Sequence, residues 1–402
     1  MRLREGEFPK ENTIFLLEMN FNVPFTNFKS ISTTSAKHGR APAWGLQLAP
    51  PAPSGHKEPM ATRGERMRLK EFAARIGLSQ TTVSRAMSGY PEVKAETRAR
   101  VLEAAERLGY RPNVSAQRLA TGRAGAVGMV FQGGGRFGPH SSEFMGGLST
   151  RLQKDGIDIL VSTVETEEDE AEAYRRLAAS KRVDAVVLHT PKVVDARIAL
   201  LQTLRLPFVV HGRSEAERPF AFVDIDNFGA IATATEHLAA LGHRRIALIN
   251  GDPANTYARD RDLGYRTALA RRSLAVDPAL TGHGEFTDET GFRLMQGFLA
   301  LPAPPTAVIA GSMMSALGAM RAIRIAGLAV GRDVSLIAHD DVFPYLSPDN
   351  LVPAVTTTQS PIRAAGERIG DMIVRLLGGE APKALQEVWP ADFIVRGSTG
   401  PA

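Results

Sequence analysis

Cysteine is absent from all 402 residues. Disulfides, thiolate nucleophiles and cysteine-ligated metal are therefore excluded, and a reducing compartment is compatible. No apolar run approaches the ~20 residues that span a bilayer. The early stretch TIFLLEMNF is short, carries Glu18 and has no small-residue cleavage site close behind it, so no secretory leader is expected. The nine histidines show no metal-ligand spacing, and no nucleophile-elbow pattern occurs. No cofactor or metal site is expected, and the chain reads as non-enzymatic. Regular patterning is missing from residues 1–66, where APAWGLQLAPPAPSGHKEP is rich in Pro, Ala and Gly. That segment reads as a disordered extension, with Met67 as a second plausible protein start.

What is present begins with an uneven charge. The net charge is +5, yet Met67–Ala124 alone carries eleven Lys/Arg against five Asp/Glu. A short basic segment ahead of a mildly acidic body suits a polyanion-binding head, although a solvated basic surface has the same charge signature. Leu69, Phe72, Ala73 and Ile76 form one helical face, and Gly77 ends that helix. Ser79 can cap a second helix that Val83 and Met87 hold down. A third is expected from Ala95 to about Leu108, with Val101, Leu102, Ala105 and Leu108 inward. Two short helices around a glycine turn, with a supporting third, make a helix-turn-helix unit. Gln80, Thr81, Thr82, Ser84 and Arg85 then project away from the small core. Short polar side chains and an arginine in that position can reach base edges and phosphates in a major groove.

Beyond Gly125 the pattern changes to Val/Ile-rich runs separated by helical stretches: AVGMVF, IDILVSTV, VDAVVLH, PFVVHG, RRIALIN, TAVIAG and SLIAHDD. Such runs imply parallel sheets covered by helices on both faces, an α/β body. Ligands of such sheets bind at the carboxyl ends of the strands. Those ends supply His189 with Thr190, His211 with Gly212 and Arg213, and Asp340 with Asp341. Arg259 and Arg261 open a later helix. Arginines and carboxylates near aromatics suit a polyhydroxyl ligand, since each pairs with vicinal hydroxyls; interdomain salt bridges would use the same residues. Gly133–Gly138 (GGGRFG) fits a dinucleotide fingerprint with Glu165 as the ribose acid. Pro139 and HSSEF place the helix start beyond these glycines, so they read better as a loop at the mouth of a cleft, with His140 beside it. Asp340 and Asp341 are neighbours on a strand end and point apart, which makes them a poor glycosidase pair.

The stretch LKEFAARIGLSQTTVSRAMSGYPEVKAETRARVLEAAERLGYRPNVSAQRLATGR resembles the DNA-binding head and hinge of the lac repressor (LacI) family of bacterial transcription regulators. The resemblance runs from Met67 nearly to the C-terminus. It implies that Gln80, Thr81 and Arg85 read bases, with Ser79, Thr82 and Ser84 also at the DNA-binding surface. It also implies that NVSAQRLATG is a hinge helix that orders on operator DNA, with Leu119 wedged into the minor groove and Asn113, Ser115 and Arg118 beside it. Lys94 stands where a serine cap is frequent. The body resembles a periplasmic-binding-protein-like effector domain with two α/β subdomains and three crossings. Arg261, in RDLG, matches an arginine that clamps sugar hydroxyls; Asp340 matches a cleft aspartate; and Ser312 stands where asparagine is common. VVHGR resembles a sugar-utilisation branch.

The expected domains are a head over 67–112, a hinge over 113–124 and a body over 125–402. The N-subdomain is placed at about 125–224 plus 354–385 and the C-subdomain at about 225–353 plus 386–397. The expected partners are double-stranded operator DNA, a small carbohydrate and a second copy of the chain, with no membrane, in the cytoplasm at the nucleoid. No leucine-heptad tail follows Trp389, so a coiled-coil tetramer is not expected. A sugar-binding transport receptor and a nicotinamide-dependent sugar oxidoreductase are the alternatives from other classes.

Overall fold

The computed structural model describes residues 67–87, 90–111, 122–133 and 137–402. The expectations for residues 1–66, for Asn113, Ser115, Arg118 and Leu119, and for residues 134–136 of the glycine loop lie outside the described residues.

The head has three helices, α1 (Leu69–Arg75), α2 (Gln80–Met87) and α3 (Ala95–Arg107). Gly77 makes the turn between α1 and α2 at φ +69°, a backbone conformation that a Cβ disfavours. Phe72, Val83 and Val101 are fully buried and meet in one small core with Ala73, Ala86, Ala104 and Ala105. The Phe72 and Tyr110 rings stack at 4.1 Å and fasten α1 to the segment after α3. Leu102 departs from the expected pattern: it is 48% exposed, and Ala104 takes the inward position. Lys94 gives α3 no side-chain cap.

Two six-stranded sheets follow. The first holds β1 (Ala126–Gln132), β2 (Asp158–Val164), β3 (Ala185–His189), β4 (Phe208–His211), β5 (Ala221–Ile225) and β11 (Gln386–Trp389), ordered β11-β5-β4-β3-β1-β2 and all parallel. In the second, the order is β12-β10-β9-β8-β6-β7. Its strands are β6 (Ile246–Asn250), β7 (Thr281–His283), β8 (Ala307–Ala310), β9 (Ser335–Asp340), β10 (Thr356–Gln359) and β12 (Asp392–Ile394). Only the edge strand β12 runs antiparallel, an exception to the all-parallel expectation.

Helices cover both faces of each sheet. On the first, α4 (Pro139–Leu152) and α11 (Ile362–Leu377) lie on one side, and α5 (Glu167–Ser180) and α6 (Ala196–Leu204) on the other. The second is flanked by α7 (Asn227–Ala240) with α8 (Thr256–Arg271), and by α9 (Asp288–Leu299) with α10 (Met313–Ile325). Strand residues alternate between the layers: Val127 and Met129 of β1 enter one core, Ala126 and Val130 the other.

The sheets correct the expected subdomain boundaries. β10 pairs with β9, so residues 354–359 belong to the C-subdomain rather than the N-subdomain. β11 pairs with β5, so residues 386–389 belong to the N-subdomain rather than the C-subdomain. The chain thus crosses three times, between β5 and α7, between β10 and α11, and between β11 and β12.

Candidate functional site

The first candidate surface is on α2. Ser79 Oγ accepts a hydrogen bond from the Thr82 amide at 3.0 Å and lies 2.8 Å from the Thr82 hydroxyl. Ser79 and Thr82 therefore close the helix start and are partly occupied with each other. Gln80, Thr81 and Arg85 are exposed, while Ser84 is half-buried beside the core residue Val83. Some of the head's arginines have structural work instead. Arg100 Nη2 donates to the Ile76 carbonyl at 2.8 Å, and Arg98 Nη2 to the Tyr90 carbonyl at 2.6 Å. Charge counting alone did not separate these arginines from the outward-facing Arg85.

The second candidate is a cleft between the two sheets, with a volume of about 940 Å³. His140, His189, Arg261 and Ser312 all line it. Arg261 is buried in its wall. Its Nε donates to Asn227 Oδ1 and its Nη1 to the Gly311 carbonyl, both at 2.7 Å. The guanidinium carbon lies 5.3 Å from the Tyr257 ring centre and 5.7 Å from that of Phe286. Burial lowers its affinity for its proton, an effect that the nearby Tyr257 and Asp341 oppose. Ser312 caps α10 by accepting from the Ser315 amide at 3.1 Å, so its oxygen is already engaged within the helix start.

Asp340 is not on the cleft wall. Its carboxylate accepts from the Val342 amide at 2.8 Å and from Gln359 Nε2 at 3.1 Å. The lining aspartate is Asp341, one residue on. The strand alternation that separates the two carboxylates also sends the wrong one inward for the expected assignment. Asp341 Oδ1 lies 3.8 Å from His140 Nε2 and 3.7 Å from His339 Nε2. Burial raises the pKa of Asp341, against the pull of His140 and Arg261.

Arg213 also falls outside the cavity lining. Its Nε pairs with Asp224 at 2.5 Å and its Nη2 with Asp260 at 3.3 Å. Asp224 lies on β5 and Asp260 sits on α8, so Arg213 ties the subdomains together, one of the uses open from its sequence. Arg259 does likewise, pairing with Glu215 at 3.0 Å. Close by, the Thr256 amide donates to the Pro191 carbonyl at 3.1 Å, and the Val193 amide to that of Ala254 at 3.2 Å.

Several cleft residues carried no sequence signal. Glu170, on α5, is buried and accepts from Gln132 at 2.8 Å, from Tyr174 at 3.0 Å and from Arg197 at 3.0 Å. Arg197 in turn pairs with Asp195 at 2.6 Å. Asn227 is the other omission. Both it and Glu170 are helical residues whose partners are remote in sequence, so no local period marks them. The histidines were visible singly but not as a group: His140, His189 and His211 bring one ring nitrogen each to within 4.8 Å of one another. Spacing along the chain hid this grouping, because α4, β3 and β4 converge only in the fold.

The family models match in two places. Residues 68–113 match the bacterial regulatory proteins of the lacI family, and residues 235–399 match a periplasmic binding protein-like domain. The chain is 50% identical over 337 residues to the HTH-type transcriptional regulator AglR of Rhizobium meliloti, covering 83% of this chain and 94% of that one. It is 34% identical over 334 residues to RafR of Escherichia coli, covering 81% and 97%. Among solved structures, a lac repressor dimer bound to operator and the anti-inducer ONPF superposes with a TM-score of 0.70 at 27% identity, covering 84% of this chain and all of that one. A transcriptional regulator CelR–cellobiose complex gives 0.62 at 28% identity, covering 82% and 99%. With a helix-turn-helix head, a two-subdomain α/β body and relatives aligned over nearly their whole length, this chain belongs to the LacI family of HTH-type transcriptional regulators.

Proposed function

We propose that the protein is a repressor of a carbohydrate-utilisation operon. It reads operator DNA through Gln80, Thr81 and Arg85 and responds to a saccharide held between the subdomains. The observation that carries this reading is the setting of Arg261. A buried guanidinium is fixed by Asn227 and Gly311, flanked by Tyr257 and Phe286, and shares a cleft with the Asp341 carboxylate. Planar donors, a carboxylate acceptor and aromatic faces together match the hydroxyls and C–H faces of a sugar. The cellobiose bound to CelR supports the same ligand class. Asp341, rather than Asp340, is assigned the hydroxyl-accepting role.

Twofold operator reading by a dimer fits the DNA-bound dimer of the lac repressor. A regulatory rather than catalytic role accords with the relatives, which are named as transcriptional regulators. No described helix is long and apolar enough to cross a membrane.

Calorimetry across a panel of mono- and disaccharides tests the reading. One or more should bind, and Arg261→Ala should weaken the best by roughly 2 kcal/mol, because ligand hydroxyls are left without partners. Unchanged affinity in Arg261→Ala would reject the site. Operator binding without ligand should survive the substitution.

A further inference from the structure

We propose that His140, His189 and His211 form a binding site for a divalent transition-metal ion of the zinc class on the N-subdomain wall of the cleft. The proposal goes beyond the saccharide reading and does not depend on it.

The three side chains come from the first turn of α4 and the carboxyl ends of β3 and β4. His189 and His211 are register partners on neighbouring strands, and His140 faces both. Ring centres lie 5.0 Å apart for His189–His211, 5.3 Å for His140–His189 and 5.8 Å for His140–His211. One nitrogen from each ring falls within 4.8 Å of the other two. Zinc–nitrogen bonds of about 2.1 Å in a tetrahedron space the nitrogens about 3.4 Å apart. The rings therefore need to close by about an ångström, which small side-chain torsions supply.

Two further observations favour an ion over simple packing. His189 Nε2 is buried and has no hydrogen-bond partner. Its Nδ1 is engaged by the Thr190 hydroxyl at 2.5 Å. With the proton on Nδ1, Nε2 is a buried acceptor without a hydrogen-bond partner, a costly arrangement unless an ion takes its lone pair. Thr190 reaches this contact from φ +51°, a left-handed conformation that a β-branched residue rarely adopts. A metal-bound histidine usually donates its other ring N–H to an oxygen acceptor, and the Thr190 hydroxyl stands where that acceptor is needed. The second observation is the environment. The Phe144 ring packs 5.3 Å from His189 and 4.8 Å from His211, so the cluster is walled by apolar surface.

Three histidines leave a fourth position for water or a ligand oxygen, the arrangement of an open rather than a closed site. Asp341, 3.8 Å from His140, is the nearest carboxylate and stands on the opposite subdomain. An ion here thus adds positive charge on one wall of the cleft facing negative charge on the other.

The full chain, freed of metal by chelation, is titrated with Zn²⁺ by calorimetry and with Co²⁺ by visible absorption. The expected result is one saturable site per chain and the intense ligand-field bands of four- or five-coordinate cobalt, without thiolate charge transfer. His189→Ala and His211→Ala should each weaken Zn²⁺ binding about tenfold or more. His283→Ala, on an exposed edge of the second sheet, should bind as the parent does. Weak six-coordinate cobalt bands alone, or an unchanged Zn²⁺ affinity in a folded His189→Ala, would overturn the proposal. The cobalt spectrum is read on the unaltered chain, so a variant that fails to fold does not decide the matter. No saccharide is present, so the absence of a sugar effector would leave this result standing.

Discussion

Single residues in this protein owe their roles to buried hydrogen bonds, and His339 is an instructive case. It is almost fully buried on β9, with Nδ1 2.9 Å from the Thr358 hydroxyl and Nε2 3.0 Å from that of Ser360. Burial, helped by Arg261 and His140, pushes its pKa well below the ordinary value. His243 is lowered in the same direction, first by burial. In both, the unfolded chain takes up a proton near pH 6.5 while the folded chain does not. Stability therefore falls as pH drops through and below that value. Asp341 and Asp224, whose pKa values are raised by burial, act oppositely at the acid end of the range. Thermal melts from pH 7 to 5, with a chelator present, should show a falling midpoint. His339→Gln should lower stability at pH 7 and flatten the slope. A parallel slope in the variant would remove His339 from the account.

The same scale explains what the chain made legible at the cleft. Arg261 was readable through the family resemblance, because the RDLG segment that carries it is contiguous in the chain. The choice between Asp340 and Asp341 was not, because it turns on which of two adjacent side chains the strand sends inward. Glu170 and Asn227 lacked any local mark, since their partners Gln132, Arg197 and Arg261 arrive from other elements.

Among elements, the helix pairs show how tightly the layers are set. A Cβ on Gly147 of α4 would collide with the Arg363 carbonyl of α11, and one on Gly366 with the Phe144 carbonyl. Backbone therefore lies on backbone where these helices cross. Gly147→Ala should force them apart and cost about 1–3 kcal/mol in chemical denaturation, without altering the intrinsic operator contacts of α2. A neutral effect would show that the crossing relaxes freely. On α2 itself, Arg85→Ala should cost about 1–3 kcal/mol at the operator and relax base choice at one position. Equal weakening on every DNA sequence would limit Arg85 to phosphate. Apolar strands such as β3, β6 and β8 were visible as continuous Val/Ile runs. β10 was not, because it reads TTTQ. Its three threonines are nonetheless buried, each hydroxyl partnered: Thr356 with the Arg396 carbonyl, Thr357 with the Arg396 guanidinium and Thr358 with His339. A strand saturated by partners from distant elements carries no hydrophobic signature of its own.

At the scale of the whole body, two arginine pairs cross between the subdomains, Arg213 with Asp260 and Arg259 with Glu215. Both are partly exposed, so each is worth at most about 1 kcal/mol. Asp260→Asn should favour the open arrangement modestly. It should weaken saccharide binding up to about fivefold, although Asp260 is not among the cleft-lining residues. Small-angle scattering of the unliganded protein should report a slightly larger radius of gyration. An unchanged affinity and radius would mean that the backbone contacts at Pro191 and Ala254 set the closure alone.

The three crossings also order events during synthesis. Each sheet takes one edge strand from residues 386–394, β11 closing the first and β12 the second. Neither sheet can be completed until that short stretch has left the ribosome tunnel. The nascent body must therefore wait, with two unfinished sheets exposed, and then finish both almost together. The head has no such debt, since all its core residues lie between Met67 and Tyr110. A released chain truncated before residue 386 should accordingly carry a folded head on a protease-sensitive body, and one extended through residue 397 should show both subdomains protected together.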